Sequence, residues 1–192
     1  MLLIGDVHGK NIKYENIIDK CYGKSVVLGD FGFDTEHKWL LKYKDTERHK
    51  VLFGNHDYYP LVNEKHSLGH FGMYEGMFFV RGAETPWFDR GRRMMGVDLF
   101  ENEQLTYSEM TQAFDLYIQE KPEIVISHEC PQFLKEVEFG YSESNVTTQG
   151  LDAMFDAHKP KYWFFGHYHK PIQATYKGCL FRCLDELESV EV

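Results

Sequence analysis

Five short apolar runs, each ending in a small residue followed by Asp, Asn or His, constrain this chain more than any other feature. The runs are Leu2-Leu3-Ile4, Val26-Val27-Leu28, Val51-Leu52-Phe53, Ile124-Val125-Ile126 and Tyr162-Trp163-Phe164-Phe165. Each run has the length and composition of a buried strand. Open α/β sheets bind ligands in the crevice at the carboxyl ends of their strands. The pattern therefore predicts an α/β fold with one site built from five strand ends.

The residues that follow the five runs supply the candidate site. They are Gly5-Asp6-Val7-His8-Gly9, Gly29-Asp30, Gly54-Asn55-His56-Asp57, Ser127-His128 and Gly166-His167-Tyr168-His169. Aspartate after glycine is common in turns, but turns have no need of histidine. Five of the ten histidines occur in these five segments. The grouping therefore favours a functional site over a set of unrelated turns.

Carboxylate, amide and imidazole groups together form a mixed oxygen and nitrogen ligand set. Such a set suits manganese, iron, zinc or a similar ion, whereas calcium takes oxygen ligands only. The groups are too many for one tetrahedral zinc, but two cations about 3.5–4 Å apart that share a carboxylate would use them all. Two such cations can hold a hydroxide at neutral pH and neutralise phosphoryl oxygens. A remaining histidine would be free to protonate the leaving oxygen.

The rest of the chain predicts one domain, residues 1–192, with alternating strands and helices at its N-terminal end. Thr106-x-x-Glu109 is a capping box that predicts a helix from 106 to 120. Residues 58–75 show no clear period and are predicted to form a loop near the site. Further helices are expected at 11–21, 39–43 and 151–158, and further strands at 77–80, 94–97 and 179–184.

Charge and hydropathy exclude several classes of protein. The net charge of −9 argues against an extended nucleic-acid groove, which needs clustered Lys and Arg. No apolar run approaches the roughly 20 residues of a membrane helix. The N-terminal residues lack the basic region of a signal peptide. We therefore expect a cytoplasmic protein that does not bind membranes.

The five motifs, in this order from residue 5 to residue 169, resemble those of the calcineurin-like metallophosphoesterase family. The resemblance implies a four-layer α/β/β/α sandwich of two mixed sheets, with the site at the strand ends. It implies that one metal is held by Asp6, His8 and His169, and the other by Asn55, His128 and His167. It further implies that Asp30 bridges the two ions.

His56 resembles the catalytic histidine of the family, which contacts the phosphate and donates a proton to the leaving group. The protein-phosphatase branch has an acidic residue three positions after the bridging aspartate, followed by Arg-Gly. Here Phe33 stands at that position, and Asp34 follows without an arginine. Two carboxylates, Asp34 and Asp57, are therefore candidates for the catalytic group that orients His56.

The resemblance implies a hydrolase of phosphoric esters that uses two divalent cations, with manganese preferred over iron, zinc, nickel or cobalt. The expected substrate is a small phosphodiester or a nucleotide. A phosphomonoesterase or a protein phosphatase is an alternative. A non-catalytic metal-binding interaction module is a further alternative, ranked lower because the ligands and His56 are all present. The sequence does not decide the oligomeric state.

Several other residues leave open alternatives. His37 and His49 lie among charged residues and are expected to be solvated, whereas His66 and His70 suit either a surface loop or a lid. Tyr58 and Tyr59 could stack on a nucleobase or pack in the core. The basic group at 81–93 is expected to be a solvated hairpin tip, with phosphate binding as the alternative; its members are Arg81, Arg90, Arg92 and Arg93.

Overall fold

The computed structural model describes residues 1–192. Its strands are β1 (Leu2–Ile4), β2 (Ser25–Val27), β3 (His49–Val51), β4 (Phe71–Tyr74), β5 (Met77–Val80), β6 (Ile124–Ser127), β7 (Tyr162–Phe165), β8 (Ile172–Tyr176), β9 (Cys179–Cys183) and β10 (Ser189–Glu191). Its α-helices are α1 (Asn11–Ile18), α2 (Asp34–Tyr43), α3 (Trp87–Arg90), α4 (Tyr107–Glu120), α5 (Gln132–Leu134) and α6 (Val146–Ala157). A 3-10 turn covers Tyr59–Leu61 and a π-helical turn covers Lys135–Phe139.

The strands form two mixed sheets. The first has the order β10-β1-β2-β3, and the second has the order β4-β5-β6-β7-β9-β8. In the first sheet, β1, β2 and β3 are parallel, and only β10 runs antiparallel to β1. In the second sheet, β5, β6, β7 and β9 are parallel, and the outer strands β4 and β8 run antiparallel to their neighbours.

Alternation along the strands explains how the two sheets pack. In β1, Leu3 belongs to an apolar cluster between the sheets, whereas Ile4 packs with residues of α1 and α2. In β7, Phe164 faces the same inter-sheet cluster, whereas Trp163 packs with residues of α4 and α6. Successive strand residues point to opposite faces, so each sheet buries both of its faces. The predicted α/β/β/α sandwich is confirmed.

The cap of α4 forms as the sequence predicts. The hydroxyl of Thr106 accepts a hydrogen bond from the backbone N–H of Glu109 at 3.2 Å, and the Glu109 carboxylate accepts one from the N–H of Thr106 at 2.8 Å. These bonds satisfy two backbone donors that have no partner within the helix. Met110, Ala113 and Tyr117 are buried on the face that packs against the second sheet.

The segment between β5 and α4 differs from the prediction. Residues 94–97 do not form a strand, and Met94 and Met95 are exposed, with one isolated bridge from Met95 to Leu99. The strand that pairs antiparallel with β5 is β4, which lies at the end of the predicted loop 58–75. Apolar composition alone misled the prediction, because these methionines do not enter a core. No helix combines the length and hydropathy required to cross a bilayer.

Candidate metal centre

The predicted ligands converge at the carboxyl ends of strands from both sheets. Donor atoms of Asp6, His8, Asp30 and His169 all lie within 4.8 Å of one another, and we term them the first cluster. Donor atoms of Asp30, His128 and His167 also lie within 4.8 Å of one another, and we term them the second cluster. Asp30 belongs to both. The structure thus brings together side chains from segments more than a hundred residues apart.

In the first cluster, two imidazoles meet one carboxylate. Nε2 of His169 lies 2.9 Å from Oδ2 of Asp6 and 2.8 Å from Nε2 of His8. Nε2 of His8 lies 3.8 Å from Oδ2 of Asp30. Asp6 is fully buried and also accepts a hydrogen bond from the backbone N–H of His167 at 3.2 Å. Nitrogen and carboxylate donors so close together are the donor set of a transition cation.

In the second cluster, the backbone fixes the ring of His128. Nδ1 of His128 lies 2.7 Å from the carbonyl oxygen of Leu28, so Nδ1 carries the proton and Nε2 presents its lone pair to the site. Nε2 then lies 3.2 Å from Oδ1 of Asp30 and 3.3 Å from Oδ1 of Asn55. The amide nitrogen of Asn55 donates to Thr85 at 3.4 Å, which turns the amide oxygen towards His128.

The backbone is strained at four of the predicted ligands. The φ angles of His8, Asp30, His167 and His169 are 46°, 52°, 70° and 48°, in the left-handed region that residues other than glycine seldom occupy. Conformations of this kind cost on the order of 1–3 kcal/mol each and cluster at functional sites. These conformations lower the stability of the fold, and they direct the four side chains towards a common centre.

Two glycines make room for the ligand side chains. A Cβ atom on Gly54 would lie 2.3 Å from Oδ1 of Asp30, and one on Gly166 would lie 2.2 Å from Oδ1 of Asp6. No side chain other than hydrogen fits at such distances. The small residue that precedes the polar group at these strand ends is therefore required by the packing of the carboxylates.

Burial and neighbouring charge shift the protonation of the clusters. Burial alone would raise the pKa of Asp6, but the hydrogen bonds from His169 and His8 lower it to about 2. Burial would lower the pKa of His128, but the carboxylates of Asp30 and Asp6 raise it to about 10, so a cation would have to displace a proton from Nε2 in order to bind there. The pKa of His167 is lowered to about 4, chiefly by burial. His167 is therefore neutral at pH 7, which is the form that ligates metals.

Asp57 does not contact the ring of His56, which corrects one sequence-based expectation. Its carboxylate accepts hydrogen bonds from the backbone N–H groups of Gly54, Asp30 and Gly32 at 2.7, 2.9 and 3.1 Å. Nε2 of His37 donates to the same carboxylate at 2.9 Å. Asp57 thus joins the loops after β2 and β3. It holds these loops together, because its partners are three backbone N–H groups and the ring of His37.

Asp34 is likewise not the group that orients His56. Its carboxylate pairs with the exposed Lys38 one helical turn away, at 2.7 Å, and Asp34 itself is half-buried. The prediction that Asp34 or Asp57 orients His56 is therefore wrong in this structure. Nearness to His56 along the chain does not reveal these partners, because they are set by the fold.

Arg93 is the residue that contacts the ring of His56. Its Nη2 lies 3.0 Å from Nδ1 of His56 and also contacts Nε2. Nε of Arg93 donates to Asp89 at 2.7 Å, and its side chain is only 6% exposed. Burial, together with the guanidinium charge, lowers the pKa of His56 against the opposing effect of Asp30. The expected solvated hairpin tip is thus wrong for Arg93.

Three histidines predicted to be solvated or in a surface loop are buried in the fold. His37 and His66 are fully buried and lie 2.8 Å apart, from Nδ1 to Nε2. Nδ1 of His66 is buried without a partner. His49 bonds Ser25 at 2.8 Å and is also buried. The hydrogen bonds between Asp57 and His37 and between His37 and His66 connect the loops around the site with the core near α2.

A cavity of about 750 Å³ is lined by five of the candidate ligands, by His56, by Tyr168 and by two further stretches of chain. One stretch is 84–90, which includes α3. The other runs from Lys135 to Asn145. Tyr58 and Tyr59 do not line this cavity; Tyr59 is buried and donates to the carbonyl of Glu103 at 2.7 Å. Neither tyrosine is therefore placed to stack on a ligand in this cavity, and Tyr59 packs in the core, as one of the two alternatives from the sequence has it.

A family model described as calcineurin-like phosphoesterase matches residues 1–171. The chain belongs to the calcineurin-like phosphoesterase family. It is accordingly a metal-dependent hydrolase of phosphoric esters, as the sequence motifs predict. The matched region includes every predicted ligand and His56.

Solved structures agree with this family at the level of the fold. The chain resembles the phosphopantetheinyl hydrolase of Mycobacterium tuberculosis with a TM-score of 0.52 and 16% identity, over 96% of this chain and 89% of that one. It also resembles a protein of Staphylococcus aureus provisionally assigned as a 5′-nucleotidase, with a TM-score of 0.51 and 13% identity. That match covers 96% of this chain and 48% of the other. Comparison with curated protein sequences gave no significant match.

Proposed function

We propose that the chain hydrolyses a small phosphodiester or a nucleotide with two divalent cations bound side by side. The observation that carries this proposal is the position of Asp30, whose two oxygens face different clusters. Oδ2 faces His8 at 3.8 Å and Oδ1 faces His128 at 3.2 Å. A carboxylate with one oxygen towards each of two donor sets is suited to bridge two cations.

The donor set supports a specific distribution of ligands. Asp6, His8 and His169 would hold one cation, and Asn55, His128 and His167 the other, with Asp30 shared. When bound, two such cations supply Lewis-acid chemistry, because they lower the pKa of water and neutralise charge on the phosphoryl oxygens. We propose manganese as the resident ion, with iron, zinc, nickel and cobalt as alternatives compatible with the same donors.

His56 is proposed to act on the leaving group. Its ring lies next to that of His8, at a centroid distance of 5.1 Å, and so borders the first cluster. A proton carried on the protonated ring would pass to the leaving oxygen as the ester bond breaks. Burial, together with the charge of Arg93, lowers the pKa of this imidazole, which makes the protonated ring a stronger acid. The backbone N–H of His56 donates to Asp30 at 2.7 Å, which ties its position to the proposed bridge.

The walls of the cavity support a small substrate over a phosphoprotein. Residues 84–90 and 135–145 surround the ligands and leave a cavity of about 750 Å³. Pockets of roughly 300–1,000 Å³ hold whole small molecules. Arg90 and Lys135 line the cavity together with three carboxylates outside the candidate ligand set, and these two cations are available to an anionic substrate. A purely non-catalytic module is disfavoured because a complete ligand set borders His56.

Metal content provides the direct test of the two-cation site. We expect about two ions per chain in wild type by elemental analysis after dialysis with manganese. Asp30→Asn should lose both ions, whereas His169→Ala should lose only one. Asp34→Asn, which alters a carboxylate that belongs to neither cluster, is the matched control and should keep both. Loss of a single ion in Asp30→Asn would remove the bridging assignment.

A substrate panel tests the class of ester. Bis-p-nitrophenyl phosphate, p-nitrophenyl phosphate, cyclic nucleotides, nucleoside monophosphates and a phosphopeptide should be compared in manganese, nickel, cobalt, zinc and magnesium. We expect turnover of diesters or nucleotides and little turnover of the phosphopeptide. A preference for the phosphopeptide would replace the proposal with the protein-phosphatase alternative.

We also propose that residues 1–192 act as one domain. The candidate ligands come from both sheets, with Asp6, Asp30 and Asn55 following strands of the first sheet. His128 and His167 follow strands of the second. A single cooperative unfolding transition, followed by far-UV and tryptophan signals together, is the expected result.

A further inference from the structure

Three exposed aromatic side chains line the cavity beside the candidate ligands. Trp87 and Phe88, both on α3, are 78% and 55% exposed, and Tyr141 is 48% exposed. We term these three residues the aromatic wall. Large apolar side chains that remain exposed within a concave site indicate a surface that a ligand covers.

The rings of the aromatic wall are supported by their neighbours. The ring of Tyr141 lies 6.3 Å from that of Tyr168 and nearly parallel to it, at 23°. Tyr168 stacks on Phe139 at 3.8 Å and 11°, and its hydroxyl donates to the buried carboxylate of Glu129. Such a supported ring presents a flat surface at low entropic cost.

Trp87 and Phe88 support each other in a different geometry. Their rings meet edge to face at 6.0 Å and 82°. This arrangement leaves a broad part of the Trp87 ring surface exposed, which accounts for its high exposure. An indole face is the largest aromatic surface that a side chain can offer to another planar ring.

Polar groups in the same cavity limit what the wall could bind. Arg90, Glu143 and Asn145 line it together with the three rings and offer both donors and acceptors. A saturated alkyl chain would cover the rings but could form no hydrogen bonds with these groups. A planar heterocycle satisfies both requirements, because its faces stack and its edges form hydrogen bonds.

We infer that the aromatic wall binds the base of a nucleotide-type ester whose phosphate lies at the candidate ligands. The inference rests on the proposed function, since it assigns a place to the organic part of the same substrate. The cavity volume of about 750 Å³ accommodates a base and a sugar in addition to a phosphoryl group. The wall would therefore determine which phosphate ester is recognised.

A matched pair of ligands measures how much the base contributes to the binding affinity. Adenosine 5′-monophosphate and ribose 5-phosphate carry the same phosphate ester and differ by the base. Calorimetry on manganese-loaded wild type should give at least about tenfold tighter binding of the nucleotide, as expected for stacking on one or two rings. Their competitive inhibition constants against bis-p-nitrophenyl phosphate should differ in the same direction.

Variants of the wall should act only on the ligand that carries a base. Trp87→Ala should weaken binding of adenosine 5′-monophosphate about tenfold and change binding of ribose 5-phosphate less than about twofold. Trp87→Phe, which keeps an aromatic face, should recover much of the loss. Tyr107→Ala removes a side chain that is 72% exposed outside the cavity, and it should change neither affinity.

The failure of this inference can be distinguished from failure of the proposed function. Equal affinities for the two ligands in wild type, or an equal loss of both in Trp87→Ala, would overturn the role of the wall while ester hydrolysis continued. Absence of hydrolysis of every ester by metal-loaded wild type would overturn the proposed function. The calorimetric comparison would still decide whether the wall binds a base.

Discussion

Arg93 Nη2 lies 3.0 Å from Nδ1 of His56, and the guanidinium is held there by Asp89 and by two backbone carbonyls. Those carbonyls belong to Asn55 and Asp98, at 3.4 and 3.2 Å. Arginine is a donor only, so the imidazole accepts at this contact. The contact joins His56 to the segment between β5 and α4, which is far from it in sequence.

Replacing His56 tests the proposed proton donor through the choice of leaving group. His56→Ala should reduce kcat on an ester with an alkyl leaving group by about 10²–10⁴, because an alkoxide needs a proton as it departs. With p-nitrophenolate as the leaving group, the loss should be much smaller. Metal content should be unchanged, as measured by elemental analysis. Equal losses on both esters would contradict the proton-donor role.

Arg93 should act through His56. We expect Arg93→Ala to lower kcat on the alkyl ester by about tenfold, and to have little further effect when His56 is already alanine, because residues in contact are not additive. The measurement is a double-mutant cycle of kcat. Arg92→Ala, which alters an exposed neighbour, is the control and should match wild type. Full additivity of Arg93→Ala and His56→Ala would show that Arg93 acts independently.

Asp57 should prove structural. Asp57→Ala leaves the N–H groups of Gly54, Asp30 and Gly32 without their acceptor, and each buried donor left unpaired costs about 1–3 kcal/mol. We therefore expect the free energy of unfolding to fall by about 3 kcal/mol or more, with weaker metal binding. Urea titration and elemental analysis measure the two effects. A variant with wild-type stability and metal content but no turnover would restore the catalytic role inferred from sequence.

His66 should make stability depend on pH. Burial, with smaller contributions from His37 and Lys50, lowers its pKa from the ordinary 6.5 to about 3. As the pH falls below 6.5, the unfolded chain takes up a proton that the folded chain does not, so the folded state loses stability. Between pH 7 and pH 5 this one group should cost about 2 kcal/mol.

The matched variant for this effect is His66→Gln, which keeps a side-chain donor for His37 but does not titrate. Its free energy of unfolding, from urea titration at both pH values, should fall by about 2 kcal/mol less than that of wild type. Carboxylates and other histidines affect both proteins alike, so the difference reports on His66. Parallel losses in the two proteins would contradict the buried, neutral state of this imidazole.

The convergence of the candidate ligands could be predicted from the sequence because each of them lies shortly after a strand. A short apolar run followed by glycine and a polar residue is a local signal, and Leu2–Ile4 and Tyr162–Phe165 form strands with the predicted bounds. Parallel strands bring such ends to a common edge without further information. Convergence of Asp6, Asp30 and His128 therefore follows from pattern and topology together.

The groups that support and surround the centre could not be predicted in the same way. Arg93 and Trp87 lie in a segment without periodicity, and their positions depend on long-range contacts such as that of Tyr59 with Glu103. Flanking charges suggested that His37 is solvated, although the carboxylate of Asp57 draws it into the interior. The positions of these residues are determined by tertiary contacts, which produce no pattern in the neighbouring sequence.

The candidate ligands are divided between the sheets, with Asp6, Asp30 and Asn55 on one side and His128, His167 and His169 on the other. Cations bound by both sets of ligands would link the two sheets, which share no hydrogen bonds between strands. Metal binding to the folded state alone would therefore raise the melting temperature. Removal of the metal by a chelator would then weaken the association of the two sheets as well as stop turnover. Heat resistance and chemistry in this molecule would draw on the same few side chains.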